Sequence, residues 1–555
     1  MGRVGRVSRN RSAVDQVADD FTARYAALDP IFATESGIPG HDHEMTDLSP
    51  AGHATRVALR RQTLAALEGA APVDETDRVT IAAMRFSLGT ELALDEAGET
   101  LAPVNNIASA VQGLRDVFDL TPTATDDDWQ AVLARLRALP GAAAGYVESL
   151  RAVAAGAGPF AAVRQVEEGV RQAAEQADPA SSFFPAFVAG GPAALHDELE
   201  AAAAGAMAAY GALAEALRDL APRAPLADGI GRERYVLWSR YFLGAGVDLD
   251  ETYAWGLDQL AALTAEQTQI ARRIAGPGAD VEDAIATLDA DRSRKLRGTA
   301  ALQAWMQATS DAAIEALHGM HFDIASPLHR LECRIAPTRT GGIYYTGPSS
   351  DLTRPGRMWW SVPPGVEVFD TWRELTTVYH EGVPGHHLQV GTAVVNSDEL
   401  NDWRRLAAWT SGHGEGWALY AERLMADLGF LDDDGNRLGM LDGQRMRAAR
   451  VVFDIGVHLG LPAPAEYGGG TWDAEKGWAL LRANLHQAEP FVRFEWTRYL
   501  GWPGQAPSYL VGQRLWQRIR EAARVAAGDA FDLAAFHSRA LALGALPLEV
   551  LAVAV

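Results

Sequence analysis

Residues His380 to Gln389 read HEGVPGHHLQ, and this run restricts the fold more than any other stretch of the chain. Its opening His-Glu begins the zinc-hydrolase pattern HExxH, in which two histidines four apart share one helix face and the intervening glutamate acts as general base. Here position 384 is Pro, and the next histidines are His386 and His387. Six residues of ideal helix carry a side chain ~9 Å along the axis and ~240° around it, at ~1.5 Å and ~100° per residue. A straight helix therefore cannot present His380 and His386 to one ion. Pro384 removes a backbone donor and Gly385 frees the backbone, so the pair can supply the bend. On the residues alone, the segment is either a set of ordinary polar residues at a helix end or a metal site. Three His, one Glu, two Gly and one Pro within eight residues favour the metal site.

A zinc site with two histidines needs a further protein ligand, commonly a carboxylate, and an open position for water. Glu415 in SGHGEGWALYAERL is the first candidate, because it stands between two glycines at the start of an otherwise core-like helix. Glu422 lies two turns further on the same face and is the second choice, with an ion pair to an arginine as its alternative role. His413 is close enough to serve as a ligand or to support one; otherwise it is a surface histidine.

The chain of 555 residues is long enough for two lobes, each with a sizeable core. A formal net charge of −23 argues against nucleic acid or an anionic membrane as partner, since both call for basic patches. The single Cys333 excludes an internal disulfide and a thiolate-rich zinc site. The opening MGRVGRVSRNRS lacks the apolar stretch of a signal peptide, and no run of about 18 apolar residues follows, so the expected location is the cytoplasm. Oligomeric state is not legible.

Apolar residues recur at three and four in segments such as VDQVADDFTARYAAL and DDDWQAVLARLRAL, which predicts a mainly α-helical fold. A composition shift at residues 221–235 places an N-terminal helical lobe at 1–225 and a catalytic helical lobe at 226–555. Between about 330 and 366, β-branched and aromatic pairs separated by Gly and Pro predict a small sheet or hairpin just before the histidines. The segment FDTWRELTTVYHEGVPGHH then enters the site as a helix. Further on, Arg450, Asp454 and His458 recur every four residues on an apolar helix, as an ion-pair ladder or a substrate-binding stripe. Tyr509, after Pro503, Gly504 and Gln505, enters a helix from a loop, where its hydroxyl could stabilise an oxyanion. His537 reads as structural. Arg447, Arg450, Arg493 and Arg498 are candidate cations for a substrate carboxylate.

Taken together, HEGVPGHHLQ, GEGWALYAERL, RAARVVFDIGVH, GWPGQAPSYLVGQ and FHSRALALGALPL, with ALDPIFATESGIPGHDHEMTDLSP near the start, resemble the bacterial domain-of-unknown-function 885 family over nearly the whole chain. That family is similar in turn, at greater distance, to helical zinc peptidases of the thermostable carboxypeptidase, oligopeptidase and angiotensin-converting-enzyme kind. The resemblance implies a two-lobed, metallopeptidase-like helical fold with a long cleft and a buried Zn2+. It implies His380 and either His386 or His387 as ligands, Glu415 as third ligand and Glu381 as base. Gly385-His386 resembles the Gly-His that closes several relatives' motifs, which favours His386. Tyr509 takes the place of the relatives' oxyanion tyrosine, and Tyr344 or Tyr345 that of a substrate-binding one; Arg450 and His458 are further substrate-binding candidates. The implied activity is zinc-dependent hydrolysis of peptide bonds in short peptides, carboxypeptidase- or oligopeptidase-like. Hydrolysis of non-peptide amides or esters, and a non-catalytic peptide-binding relative without metal, are the alternatives.

Overall fold

A computed structural model of the chain describes residues 9–336 and 342–555. Most of the leader reading at the N-terminus, and residues 337–341 within the sheet region, lie outside the described residues. The fold is mainly α-helical, as the periodicity predicts, with 22 α-helices and five short strands among the described residues. No helix among them is long and apolar enough to cross a membrane.

The chain forms two compact units. One comprises Arg11–Leu237 and the later segment Arg493–Pro503; the other is chiefly Trp238–Val492 and Gly504–Val555. In the first, the helix Asp126–Ala152 shows how sequence sets structure. Thr125 and Asp128 form a capping box, and Asp126 and Asp127 add negative charge to the first turn, where the helix dipole favours it. The buried positions Trp129, Val132, Leu133, Leu136, Leu139, Ala143, Tyr146 and Leu150 follow at intervals of three and four, so one stripe faces the core. Arg135 interrupts that stripe and is fully buried. Its guanidinium donates to Glu44 O (2.9 Å), Thr121 Oγ1 (2.8 Å), Thr34 Oγ1 (2.9 Å) and His41 O (2.8 Å), tying two loops to the helix. Arg135→Ala leaves four acceptors and a cavity behind; a loss of about 3–5 kcal/mol is expected in denaturant unfolding of this unit.

The second unit carries the histidines. Strands β1 (Lys295–Arg297), β2 (Leu331–Ile335), β3 (Ile343–Thr346), β4 (Gly356–Trp360) and β5 (Val368–Asp370) form two small sheets. β1 pairs antiparallel with β5, and a three-stranded sheet runs β2-β4-β3, with β2 parallel and β3 antiparallel to β4. Alternate residues of β4 point inward, as the pleat requires. Met358 and Trp360 join Leu331, Cys333, Leu302, Met306 and Phe369 in a core that reaches Val378 on the helix Thr371–Glu381. That contact fixes the helix entering the histidine run.

Two further helices close around the site, Ser411–Asp427 and Asp434–Leu459, each buried along nearly its whole surface over part of its length. An all-round buried helix belongs to a core rather than a surface. The helix Ser508–Ala527 packs on the first of them at backbone distance. A Cβ on Gly416 would stand 2.5 Å from Gly512 C, and one on Gly512 would stand 2.4 Å from Gly412 O. Glycines at the crossing thus set how near the two backbones come.

Candidate metal centre

The Pro-Gly interruption does not bend one helix; it ends one and starts another. The first helix closes at Glu381 with Gly382 N donating to Val378 O (2.9 Å), and the next begins at His386. Between them Gly385 N donates to Tyr379 O and His387 N to Gly382 O, both at 3.1 Å. Trp417 Nε1 holds the Pro384 carbonyl at 2.8 Å. At Gly385 the chain passes so close to the preceding turn that a Cβ would lie 1.8 Å from His380 O. The reversal brings the His380 and His386 rings to 5.0 Å between centroids, nearly perpendicular at 87°.

Glu415, near the start of the helix Ser411–Asp427, completes the cluster. Its Oε2 lies 3.3 Å from His380 Nε2 and 3.6 Å from His386 Nε2. One donor atom from each of the three residues falls within 4.8 Å of the others. Ligand bonds of about 2.1 Å at tetrahedral angles place neighbouring donors about 3.4 Å apart, so the spacing and the two-imidazole, one-carboxylate donor set both fit zinc. His380 and Glu415 also have electrostatics suited to a cation. Burial opposes charge on His380, yet hydrogen bonds to Glu415 and Glu422 outweigh it and raise the imidazole to about 9. Burial likewise opposes charge on Glu415, but His380 and His386 hold its carboxyl well below the usual range. A place that retains a proton between two carboxylates favours a divalent ion for the same reason.

The remaining candidates fall into distinct places. Glu422 lies behind His380. Its Oε1 lies 2.8 Å from His380 Nδ1, Thr376 Oγ1 donates to its Oε2 at 2.6 Å, and Arg447 Nη2 stands 3.6 Å away. With Nδ1–H directed at this carboxylate, loss of the other ring proton would leave the Nε2 lone pair of His380 facing the cluster. Glu381 is buried beside the cluster. Burial raises its carboxyl, with His380, His386 and Arg447 pulling the other way and Glu415 adding to the rise. His386 Nδ1 is buried without a hydrogen-bond partner.

His387 turns away from the cluster. Its Nε2 donates to Leu328 O (2.9 Å) and its Nδ1 accepts from Tyr345 Oη (3.0 Å), the tautomer that a histidine held neutral by burial, at about 4, must take. The hydroxyl proton of Tyr345 is thereby committed, leaving none for a substrate oxyanion. Tyr344 stacks on Trp359 with centroids 6.2 Å apart.

On the helix Asp434–Leu459, Arg447 and Arg450 hold their guanidinium carbons 5.7 and 4.8 Å from the Tyr509 ring centroid. Asp454 accepts from Gly504 N (2.9 Å), and His458 is buried. Arg498 pairs with Glu495 (3.2 Å) in the N-terminal unit, to which Arg493 also belongs. His413 is buried against Trp516 with neither ring nitrogen hydrogen-bonded, and burial pushes it down to about 3. His537 accepts or donates at 2.8 Å with Tyr420 Oη and stacks on Phe322. Sequence reasoning passed over Thr376; its position one turn before His380 on the same helix face was the available signal.

Fold and site together define a mainly helical protein with a His-His-Glu cluster, its two histidines buried and Glu415 partly so, and a buried glutamate beside it. The chain belongs to the family described as "Bacterial protein of unknown function (DUF885)", whose model matches residues 30–555. No curated protein matches it. Two solved structures are similar over essentially their full length. One is described as "the putative lipoprotein from Colwellia psychrerythraea", with a TM-score of 0.81 at 22% identity, covering 98% of each chain. The other is described as "a putative lipoprotein of unknown function from Shewanella oneidensis", with a TM-score of 0.72 at 18% identity, covering 98% of this chain and 99% of that one. At these identities the likeness concerns the fold.

Proposed function

We propose that this protein is a zinc-dependent hydrolase of peptide bonds in short peptides, with the carboxypeptidase- or oligopeptidase-like character of helical zinc peptidases. The observation that carries the reading is the convergence of His380, His386 and Glu415, one donor atom of each lying within 4.8 Å of the others, with Glu381 buried alongside. His380, His386 and Glu415 would hold the ion, which supplies Lewis acidity, lowering the pKa of a water towards ~7 and polarising the scissile carbonyl. Glu381 takes the proton of the attacking water and delivers it to the leaving amine, a role for which a raised carboxyl pKa is suited. Glu422 and Thr376 keep the His380 ring in register. Arg447 and Arg450, both against the Tyr509 ring, offer cations for the terminal carboxylate of a short peptide. Tyr509 is the candidate donor to the oxyanion.

Elemental mass spectrometry of purified protein is the direct test. About one zinc per chain is expected in the wild type, and almost none in His380→Ala. A metal-free wild type after incubation with zinc would replace the hydrolase with a non-catalytic peptide-binding protein. A panel of peptides, other amides and esters then separates the substrate classes. Location is part of the same proposal. The solved structures' description as lipoproteins favours an extracytoplasmic site over the cytoplasm expected from the sequence, and cell fractionation decides.

A further inference from the structure

The chain has 15 tryptophans, and among the described residues Trp409 is the exposed one, at 54%. It stands in an unusual place for exposed apolar surface. Its ring centroid is 6.2 Å from that of His386, tilted by 48°. The benzo edge of the indole rests on Gly414, where a Cβ would come within 2.2 Å of Cη2 and 2.7 Å of Cζ2. The next residue is Glu415. The indole thus touches the backbone of one cluster residue's neighbour and faces the ring of another, while half of its surface stays open. The following stretch Thr410–Gly414 is buried throughout, so the exposure is confined to the side chain at the cluster.

An apolar surface left open costs free energy in proportion to its area, and an aromatic face is favourably covered by apolar or aromatic groups. We infer that Trp409 forms one wall of a subsite that receives an apolar or aromatic side chain of the substrate next to the scissile bond. The inference rests on the metal-hydrolase reading above and adds the preference of the site: hydrophobic residues over glycine at the position facing His386. Gly414 is the second member of the subsite, because any side chain there would displace the indole.

Calorimetric titration of the zinc-loaded full-length protein with phenylalanine hydroxamate and glycine hydroxamate tests this, since both carry the same metal-chelating head and differ in the side chain. The wild type is expected to bind the phenylalanine compound at least about tenfold more tightly, in line with burial of one aromatic side chain. Trp409→Ala should bring the ratio near one with the glycine compound little changed, and Trp409→Phe should keep most of the ratio. Gly414→Ala, which displaces the indole without removing it, gives a second route to the same loss. A wild-type ratio near one, or a ratio unchanged in Trp409→Ala, overturns the subsite while leaving the metal site standing. Failure of both hydroxamates to bind overturns the metal-site reading and the subsite with it.

Discussion

Glu381→Gln is expected to lower kcat on a cleaved peptide by about 10²–10⁴-fold, the usual contribution of a positioned general base. Glutamine has nearly the same shape and keeps an acceptor oxygen, but it cannot take a proton from water. The variant should still hold one zinc, because the cluster atoms come from His380, His386 and Glu415. It should also remain folded, since the substitution removes a buried carboxyl whose charge burial already disfavours. KM should move little, which separates loss of chemistry from loss of binding. Metal analysis and steady-state kinetics on the same preparation provide the check. Near-wild-type kcat with metal in place would assign the base elsewhere.

Helical class and the residues of the candidate cluster were legible in the sequence because each leaves a local signal. Stripes at three and four residues predict helices such as Asp126–Ala152, and the observed burial follows them. The aromatic pairs between Gly and Pro after residue 330 predict the small sheet, though not that β2 lies parallel to β4 with β3 on the far side. That order depends on non-local pairing, which no short window contains. His380, Glu381 and Glu415 stand out by residue type and glycine neighbours. The choice between His386 and His387 does not, because adjacent residues on a helix differ only by ~100° of rotation. The structure separates them through Tyr345 and Leu328, partners far upstream that occupy both nitrogens of His387. For Glu422 the same holds: a carboxylate on the right face reads equally as a ligand or as a support until the position of His380 Nδ1 is known. The return of Arg493–Pro503 to the N-terminal unit left no compositional trace, and it takes Arg493 and Arg498 with it.

Gly385→Ala is expected to destabilise the histidine-bearing unit by about 3 kcal/mol or more and to abolish stoichiometric zinc binding. The added methyl would lie 1.8 Å from His380 O and 2.5 Å from both His380 C and Tyr379 O. All three are backbone atoms, so no side-chain rotation relieves the overlap. The reversal itself must open, and opening it moves His386 away from His380. The hydrogen bonds that close the turn, Gly385 N to Tyr379 O and His387 N to Gly382 O, would lengthen with it. Gly205→Ala provides the opposing control, because a Cβ there meets nothing within 4 Å and the residue sits inside the helix His196–Leu220. In that helix alanine should stabilise by about 0.5–1 kcal/mol, since glycine loses more backbone freedom on folding. The same chemical change thus takes opposite signs at two positions. Denaturant unfolding and zinc analysis of both variants test the pair. A Gly385→Ala protein that kept wild-type stability and one zinc would show that the close approach of the turn to His380 is not what shapes the site.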